Sequence, residues 1–347
     1  MEKAFRLDEN DASRLKKIYD NSAINYRYSA IPDFGLNDFA ANQFFPANEN
    51  LEPFPNTKQR MNFYCENAIK IAIAAAQNCL AAFDASFTGK ISHLITVSCT
   101  GMYAPGIDID LVENLGLNRS TERTCINFMG CYGSINALKL ADFICRANPE
   151  AKVLIVSVEL CTLHFQKENT VENWVANSLF SDGAAAALVE NTGKRSIAQP
   201  YFSLKNFYAE YIYEAKNEMN WHIGNFGYEM ILTSKVSKQI QKCIRALADQ
   251  ILQKSGLVLA EIDQFAIHPG GKKILDAAEA GLGICACKNS MAHQVLQDYG
   301  NMSSATILFV LKKILEEKTE SATQNILGFA FGPGLTVESM VLQKQSA

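Results

Sequence analysis

The sequence lacks the features that would assign it to a membrane or to a nucleic acid. No apolar stretch of signal-peptide length follows the N-terminal residues MEKAFRLDEND, and the longest apolar stretches, such as IAIAAAQNCLAAF, are shorter than a membrane span. Positive charge is also scarce, because 32 Lys and Arg residues face 36 Asp and Glu residues and the formal net charge is -4. The basic residues are scattered, which argues against binding to a phosphate backbone. We therefore expect a soluble, cytoplasmic protein without a membrane or nucleic-acid partner.

No Pro/Ser-rich linker or low-complexity tract divides the 347 residues. A chain of this length with 48% hydrophobic residues can bury one large core or the core of two fused halves. Because a flexible linker is missing, two halves would share an interface and would not swing freely.

The ten cysteines follow no disulfide or zinc pattern. Most of them lie in apolar helical or strand patterns, where a free cysteine is typical of a small buried side chain. Cys285, Cys287 and His293 form a C-x-C…H arrangement that matches no common zinc site and lacks a nearby fourth ligand. We therefore expect neither a disulfide framework nor a bound metal.

Strand-like and helix-like patterns alternate along the chain. ISHLITVS (91–98) and AKVLIVSVEL (151–160) are apolar runs of the buried-strand type, and the strand-like AAAALVE follows a turn signal at 181–183. Residues 235–255 have the period of an amphipathic helix that ends at Gly256. QFAIHP is predicted as a short strand, ATILFVLKKI as a helix, and NILGFAFG with TVESMVLQ as a strand pair. This order favours a layered α/β protein.

Two distant segments of the chain have the same shape. The turn GCYGS (130–134) precedes the helical pattern INALKLADFI, and the turn GNMSS (300–304) precedes ATILFVLKKI. LITVSCTG pairs with QFAIHPGG in the same alignment. We interpret the chain as a duplicated α/β unit with halves at 1–192 and 193–347, and we expect the functional site between the halves.

Cys131, His268 and Asn301 each lie in a short turn beside an apolar element. A thiol at the entrance to a helix is activated by the positive helix end and by a nearby imidazole. An Asn amide and a His N–H together can form an oxyanion hole for a thioester carbonyl or an enolate. Taken alone, each of the three residues more often has a structural role: a Cys in the core, a buried structural His or an Asn in a turn. Their matched placement in the duplication favours a thiol-based site that forms carbon–carbon bonds.

The chain resembles the type III polyketide synthases, the family that includes chalcone and stilbene synthases, within the thiolase superfamily. The resemblance rests on motifs that are specific in combination: GCYG around Cys131, VELCTLHF, LFSDGAAAALV around Phe180, AIHPGG around His268, YGNMSSATILFVL around Asn301 and FGPGLTVE at 331–338. It covers roughly residues 88–345 and is weaker before them. It implies a duplicated thiolase-like αβαβα layered fold and a homodimer.

The resemblance also implies an acyltransferase that forms carbon–carbon bonds by decarboxylation. Cys131 would take an acyl group from a starter CoA thioester, while His268 and Asn301 would hold malonyl-CoA as it loses CO2. The resulting enolate would attack the acyl-cysteine, and cyclisation or release would follow chain extension. Acyl-CoA and malonyl-CoA are then substrates, and no cofactor, metal or acyl carrier protein is needed.

Alignment with the family predicts the walls of the substrate cavity. Phe180 matches an aromatic gate between the CoA tunnel and the cavity, and the other expected wall residues are Cys99, Thr100, Cys161, His164, Ala176, Trp221, Met230, Ser303, Phe331, Gly332 and Pro333. Trp221 replaces a Gly of the plant enzymes, so its indole either reduces or redirects the cavity or turns outward in a differently folded loop. His164 replaces a small hydroxyl residue and is either a hydrogen-bond donor to a polyketide oxygen or a buried structural group.

The CoA-binding residues that the resemblance implies are Arg14, Lys17, Gly270, Gly271 and Lys273. Asn21 occupies a position that is commonly Lys in the family, and Lys273 is the candidate that compensates for it. Each basic residue of this set is equally well interpreted as a solvated charge on a helix face. Ala104 lies where the family has a Met that reaches into the neighbouring subunit, and it would reach less far.

Two alternative functions stay open at this point. A β-ketoacyl-ACP synthase III also uses Cys, His and Asn, although HPGG and the FGPG ending favour a polyketide synthase. A catalytically inactive partner subunit with the same fold is the second alternative, against which the intact Cys131, His268 and Asn301 argue. An HMG-CoA synthase would need a catalytic Glu in the cleft, and none is identified.

Overall fold

The computed structural model describes residues 5, 7–193, 199–319 and 321–345. The helices of these ranges are α1 Glu9–Asp20, α2 Thr57–Leu80, α3 Ile107–Leu115, α4 Gly133–Ala147, α5 Val171–Leu179, α6 Lys235–Ser255, α7 Lys272–Leu282, α8 Ser290–Tyr299 and α9 Thr306–Glu316. The strands are β1 His93–Ser98, β2 Glu122–Asn127, β3 Lys152–Leu160, β4 Asp182–Glu190, β5 Tyr201–Tyr211, β6 Met219–Gly224, β7 Gly227–Leu232, β8 Gln264–Ile267, β9 Thr323–Gly332 and β10 Thr336–Gln345.

The first sheet contains strands from the N-terminal half in the order β2-β1-β3-β4. β1 pairs in parallel with β2 and with β3, whereas β3 and β4 are antiparallel. Parallel strands need crossover connections: α3 connects the neighbours β1 and β2, and α4 connects β2 to β3 on the other side of β1. The apolar runs predicted as buried strands are the two central strands β1 and β3, where both sheet faces are covered.

The second sheet repeats this pattern in the order β5-β10-β9-β8. β8 and β9 are parallel, with α9 between them in the chain, and β9 and β10 are antiparallel. The helix that follows Cys131 and the helix that follows Asn301 therefore occupy matching places in the two halves. This is the internal repetition that the two turn motifs predict.

Helices α4 and α9 lie between the two sheets. α4 packs on β1, β3 and β10, α9 packs on β4 and β8, and the two helices contact each other. Their buried faces, with Ile135, Leu138, Val310 and Ile314, belong to one apolar cluster that also contains Phe329 of β9. Because both helices begin at this junction, the residues just before them meet between the halves.

Three elements differ from the sequence-based expectation or were absent from it. The turn expected at 181–183 is wrong, because β4 already begins at Asp182, which pairs with Leu160. The Asp182 carboxylate accepts hydrogen bonds from the backbone N–H groups of Ala30 and Thr162, both at 2.7–2.8 Å, and so holds this backbone extended. β5 and the β6–β7 hairpin have no counterpart in the predicted elements.

None of the helices in the described ranges is both long enough and apolar enough to cross a lipid bilayer.

Candidate active site

Cys131 lies two residues before α4, at the helix entrance that the sequence predicts. The turn is closed by a hydrogen bond of 3.0 Å from the Gly133 N–H to the Gly130 carbonyl. Gly130 has a φ of +87°, and a Cβ added there would lie 2.4 Å from Cδ of Pro333. A glycine is therefore required for this close approach between the halves. The backbone position of Gly130 determines where the next residue, Cys131, lies.

Cys131 is half-buried, and its thiol is uncharged. Burial raises its pKa to about 12, while hydrogen bonds with Ser303 and Asn301 act in the opposite direction. The thiol donates to the Ser303 hydroxyl over 3.7 Å. Ser303 itself has a φ of +48°, which is unusual for a residue with a side chain. A partner that accepts the thiol proton is needed before this sulfur becomes a nucleophile.

His268 follows β8 and has an imidazole that is fully enclosed. Its backbone N–H donates to the Phe329 carbonyl at 2.7 Å, which extends the pairing of β8 with β9 by one residue. In the described part of the chain, neither ring nitrogen has a hydrogen-bond partner. Burial lowers the pKa of His268 to about 3, so the ring is neutral. A buried polar ring without a partner is suited to a ligand that supplies one.

Asn301 is held in one orientation by its own turn. Its Oδ1 accepts from the Ser303 N–H at 2.9 Å, and its Nδ2 donates to the Gly270 carbonyl at 3.3 Å. The second amide hydrogen is directed to the Cys131 sulfur or to a ligand beside it. The backbone N–H of Asn301 donates to Leu179 at 2.9 Å, and its carbonyl accepts from Ser181 at 2.9 Å, so the residue pairs with Phe180 in an isolated parallel bridge.

One small cavity of about 30 Å³ is lined by Cys131, His268 and Asn301 together. The three residues come from the loop before α4, the end of β8 and the loop before α9, so the duplication brings them to one place. Phe180, Gly270 and Phe331 also line this cavity, together with Met219, Leu232, Met230 and Ile274. The three contributors that alignment did not predict, Met219, Leu232 and Ile274, are apolar.

A much larger cavity of about 730 Å³ opens on the other side of Cys131 and Phe180. Its lining contains the predicted residues Cys99, Thr100, Cys161, His164, Ala176, Trp221, Met230, Ser303 and Pro333. Phe180 lines both cavities, as do Cys131, Met219 and Met230, and its role as a gate stays a prediction. Gly332 lines neither, because a Cβ there would lie 2.5 Å from Tyr132, whose ring packs against it.

Trp221 faces the large cavity from β6 and does not turn outward. Its Nε1 donates to the Cys99 carbonyl at 2.8 Å, and its ring meets His164 and Tyr228 edge-on at centroid distances of 5.6 and 5.7 Å. The alternative of a differently folded loop is therefore wrong, since β6 and β7 form a regular hairpin.

His164 is a buried ring with both nitrogens occupied. Nε2 donates to the Thr100 carbonyl at 2.7 Å, and Nδ1 accepts from the Tyr228 N–H at 2.9 Å. These partners fix the tautomer with the proton on Nε2. Burial lowers the pKa of His164 to about 3, and the ring is stacked on Tyr228 at 4.1 Å. No nitrogen is left to donate to a substrate oxygen, which favours the structural interpretation.

The basic residues at the cavity are not those that alignment predicts. Lys16 and Arg27 line the large cavity, whereas Arg14, Lys17 and Lys273 do not. Arg14 is paired with Asp11 at 3.1 Å and is exposed. Arg27 donates to the Ser178 carbonyl at 2.8 Å and lies over the Tyr19 ring at 4.7 Å. The helical register explains the difference, because consecutive residues of α1 point in different directions.

Gly271 also lies outside both cavities, although it is close to them. It has a φ of +153° and a Cβ added there would lie 3.1 Å from a methyl carbon of Leu179, which leads to Phe180. Gly271 therefore acts through backbone shape at the start of α7, which sequence alone does not distinguish from a direct contact.

Glu159 is a site residue that the sequence analysis missed. It lies near the end of β3, is fully buried and accepts from the Cys99 N–H at 2.9 Å and from the Thr100 hydroxyl at 2.7 Å. The Ser304 hydroxyl donates to its other oxygen. Burial raises the pKa of Glu159, and its charge contributes to the raised pKa of Cys131. The available signal was an acidic residue inside an otherwise apolar strand.

Over the described residues, no three His, Cys, Asp or Glu side chains are grouped closely enough to hold a metal ion.

Comparison with known proteins identifies relatives along nearly the whole chain. Residues 6–192 match the family profile described as "Chalcone and stilbene synthases, N-terminal domain", and residues 203–346 match the corresponding C-terminal domain. The "Putative chalcone synthase" of Bacillus subtilis is 34% identical over 97% of this chain and 90% of that protein. The "Alpha-pyrone synthesis polyketide synthase-like Pks18" of Mycobacterium tuberculosis is 29% identical over 96% of this chain and 83% of that protein.

Solved structures of similar proteins have the same fold. The C-terminal type III polyketide synthase domain of Steely1 from Dictyostelium superposes with a TM-score of 0.88 at 27% identity, over 99% of this chain and 92% of that one. The 1,3,6,8-tetrahydroxynaphthalene synthase of Streptomyces coelicolor gives 0.84 at 26% identity, over 98% and 92%. The predicted thiolase-like fold is thereby confirmed, and a β-ketoacyl-ACP synthase III is not favoured. The chain belongs to the chalcone and stilbene synthase family and is a type III polyketide synthase, a condensing enzyme of the transferase class.

Proposed function

We propose that this enzyme loads an acyl group from a CoA thioester onto Cys131 and extends it with malonyl-CoA. The observation that carries the proposal is the small apolar cavity shared by Cys131, His268 and Asn301. Burial disfavours a lone thiolate and a lone imidazolium alike, but a proton passed from Sγ to the imidazole creates both charges together and lets them attract. The thiolate attacks the starter carbonyl, and CoA leaves as the acyl-cysteine forms.

The free hydrogen-bonding capacity of His268 and Asn301 supports their role in extension. Malonyl-CoA loses CO2, and the negative charge moves onto its thioester oxygen as an enolate. An amide hydrogen of Asn301 and an N–H of His268 are donors for that oxygen. The enolate carbon then attacks the acyl carbonyl, the Cys131 thiolate leaves, and the extended chain is returned to CoA.

We propose that Trp221 limits the cavity space available to the growing chain. We propose that His164 holds in place the hairpin that carries Trp221. The support is that the Trp221 indole lines the large cavity, while His164 bridges Thr100 and Tyr228 and so joins the loop after β1 to the β6–β7 hairpin. Lys16 and Arg27 at the same cavity are better candidates for the CoA phosphates than Arg14, Lys17 and Lys273. Phe180 separates the two compartments.

Incubation of the purified enzyme with malonyl-CoA and a panel of acyl-CoAs tests the proposal. We expect CO2 release, transfer of the starter to the tryptic peptide that contains Cys131, and polyketide products identified by mass. Cys131→Ala serves as the control that loses acyl loading. Failure to consume malonyl-CoA with every starter would contradict the proposal and would favour the inactive partner subunit.

We further propose a homodimer formed along β2. This strand is the edge of its sheet, its residues 122–125 are exposed, and Met129 just after it is an exposed apolar side chain. Phe143 is another, on helix α4, which contacts β2. Phe143→Asp should shift the mass measured by light scattering from dimer to monomer. Val258→Asp, at an exposed apolar residue of the other half, is the matched control that should leave the mass unchanged.

A further inference from the structure

Cys285 and Cys287 are a pair of exposed thiols outside the catalytic cavities. Both side chains are exposed, and they flank Ala286 at the start of the 3-10 helix Ala286–Asn289, between α7 and α8. Neither residue lines a cavity of the condensing site. The two cysteines therefore take no part in the proposed condensation.

The local backbone places the Cys285 sulfur against the backbone of Cys287. Cys285 is extended, with φ -73° and ψ 141°, and its Sγ caps the helix by accepting a hydrogen bond of 3.2 Å from the Cys287 N–H. This bond and a second one from the Cys287 thiol lower the pKa of Cys285, whereas the same thiol–thiol contact raises the pKa of Cys287. The two thiols are thus unequal: Cys285 is the better nucleophile and Cys287 keeps its proton.

The far end of the same helix is anchored in the protein core. Asn289 is fully buried, its Nδ2 donates to Glu279 Oε1 at 2.8 Å, and its Oδ1 accepts from the Ile267 N–H at 3.3 Å. His293 contacts the same Glu279 oxygen at 2.6 Å. These contacts hold the loop in one conformation. Joining the two thiols therefore costs less conformational entropy than it would in a flexible loop.

We propose that Cys285 and Cys287 form a reversible disulfide when the protein meets a two-electron oxidant such as hydrogen peroxide. The Cys285 sulfur attacks one peroxide oxygen, the O–O bond breaks, and Cys285 becomes a sulfenic acid while the other oxygen leaves as water. The Cys287 sulfur then attacks the Cys285 sulfur, the S–O bond breaks, and the hydroxyl group leaves as water with the Cys287 proton. Two thiols are oxidised by two electrons, and one peroxide is reduced to two waters.

Peptide mapping of the full-length protein tests this proposal independently of condensing activity. Trypsin cleavage after Lys273 and Lys288 gives the peptide 274–288, in which Cys285 and Cys287 are the only cysteines. After treatment of the native protein with about one equivalent of peroxide and alkylation with a maleimide, we expect a peptide that has lost two hydrogen atoms and carries no maleimide. Dithiothreitol should restore two alkylation sites. Two maleimides after oxidation, or sulfinic acid in place of the disulfide, would overturn the proposal.

Single-serine variants test the order of the two steps. In Cys287→Ser, the sulfenic acid on Cys285 has no second thiol and should be trapped by dimedone. In Cys285→Ser, dimedone labelling of Cys287 should be lower by about tenfold, because the backbone N–H of residue 287 donates to the side chain at position 285 and does not activate the Cys287 sulfur. Equal labelling would refute the assigned order. A synthetic 274–288 peptide is the control for the fold: it should form the disulfide more slowly than the native protein, and equal rates would show that the loop contributes nothing.

Discussion

The indole Nε1 of Trp221 donates a hydrogen bond of 2.8 Å to the backbone oxygen of Cys99. The bond joins the β6–β7 hairpin of the second half to the loop that follows β1 in the first half. His164 makes a parallel connection, because it links Thr100 of that loop to Tyr228 of that hairpin. The wall of the large cavity is therefore assembled across both halves of the chain, and a change in the hairpin changes the space above Cys131.

Replacing Trp221 tests its control of that space. Trp221→Gly removes the indole from the cavity wall, and we expect larger starters or additional extensions in the product mixture analysed by mass spectrometry. Trp221→Phe is the matched control, because it deletes the hydrogen bond to Cys99 but keeps an aromatic wall. The lost hydrogen bond should reduce the free energy of unfolding by about 1 kcal/mol in Trp221→Phe. Trp221→Gly should lose more, because its ring contacts with His164 and Tyr228 disappear as well. Unchanged products in Trp221→Gly would refute a limiting role.

The two proposed half-reactions can be separated by substitution. Cys131→Ala should abolish acyl loading and retain decarboxylation of malonyl-CoA, since the donors for the enolate remain. Asn301→Ala removes one such donor and should lower the decarboxylation rate by roughly 10²–10³-fold. Rates of CO2 release and of acyl-enzyme formation are measured for each variant. Equal loss of both rates in Cys131→Ala would contradict the assignment of His268 and Asn301 to decarboxylation.

The buried histidines predict how stability depends on pH. Burial lowers the pKa of His164 and of His268 to about 3, so the folded protein excludes protons that the unfolded chain takes up below about pH 6.5. The stabilisation that the two histidines contribute is complete above that pH. It is lost as the pH falls towards their pKa in the folded protein, by at most about 1.4 kcal/mol per pH unit for each ring. Asp182, whose pKa burial raises to about 6, acts in the opposite direction.

A difference measurement isolates the contribution of His164. We expect denaturant unfolding of His164→Gln to show a weaker decrease in stability than the unchanged protein between about pH 6.5 and pH 5, because one proton-excluding ring is missing. Since Asp182 and His268 are present in both proteins, their contributions cancel. Parallel curves would mean that His164 takes up its proton without unfolding.

Gly130 and Gly256 form a matched pair for testing the approach of the two halves. Both have a positive φ, but an added Cβ meets Pro333 at 2.4 Å in the first case and nothing within 4 Å in the second. Gly256→Ala should therefore reduce the free energy of unfolding by about 1–2 kcal/mol, which is the cost of a residue with a side chain in the left-handed backbone conformation. Gly130→Ala should lose more, and it should also slow alkylation of Cys131 in the native protein. Equal losses would show that the Pro333 contact relaxes freely.

The fold was largely predictable because its two halves leave matching local patterns. Buried parallel strands are continuous apolar runs, and the turns at 130–134 and 300–304 begin equivalent helices, so the residues proposed as catalytic could be located by comparing the halves. The β6–β7 hairpin was not predicted, because its strands alternate around exposed polar residues such as His222 and Glu229 and contribute little to the core. The boundary between the halves at residues 192 and 193 stays a prediction.

The details of the site depend on directions that sequence spacing does not contain. Lys16 and Lys17 are neighbours in the chain, yet only Lys16 reaches the cavity, because one residue of a helix is a turn of about 100°. Glu159 was overlooked since strand patterns report only which face is apolar. Its role depends on three donors from distant segments, which meet only after the sheets have packed.

The backbone bridge between Phe180 and Asn301 has a consequence for motion. The aromatic ring that separates the two cavities and the amide at the small cavity share a pair of hydrogen bonds, through Leu179 and Ser181. We therefore expect a backbone displacement at Phe180 to be transmitted through these two bonds to Asn301, so that the two loops move as one unit.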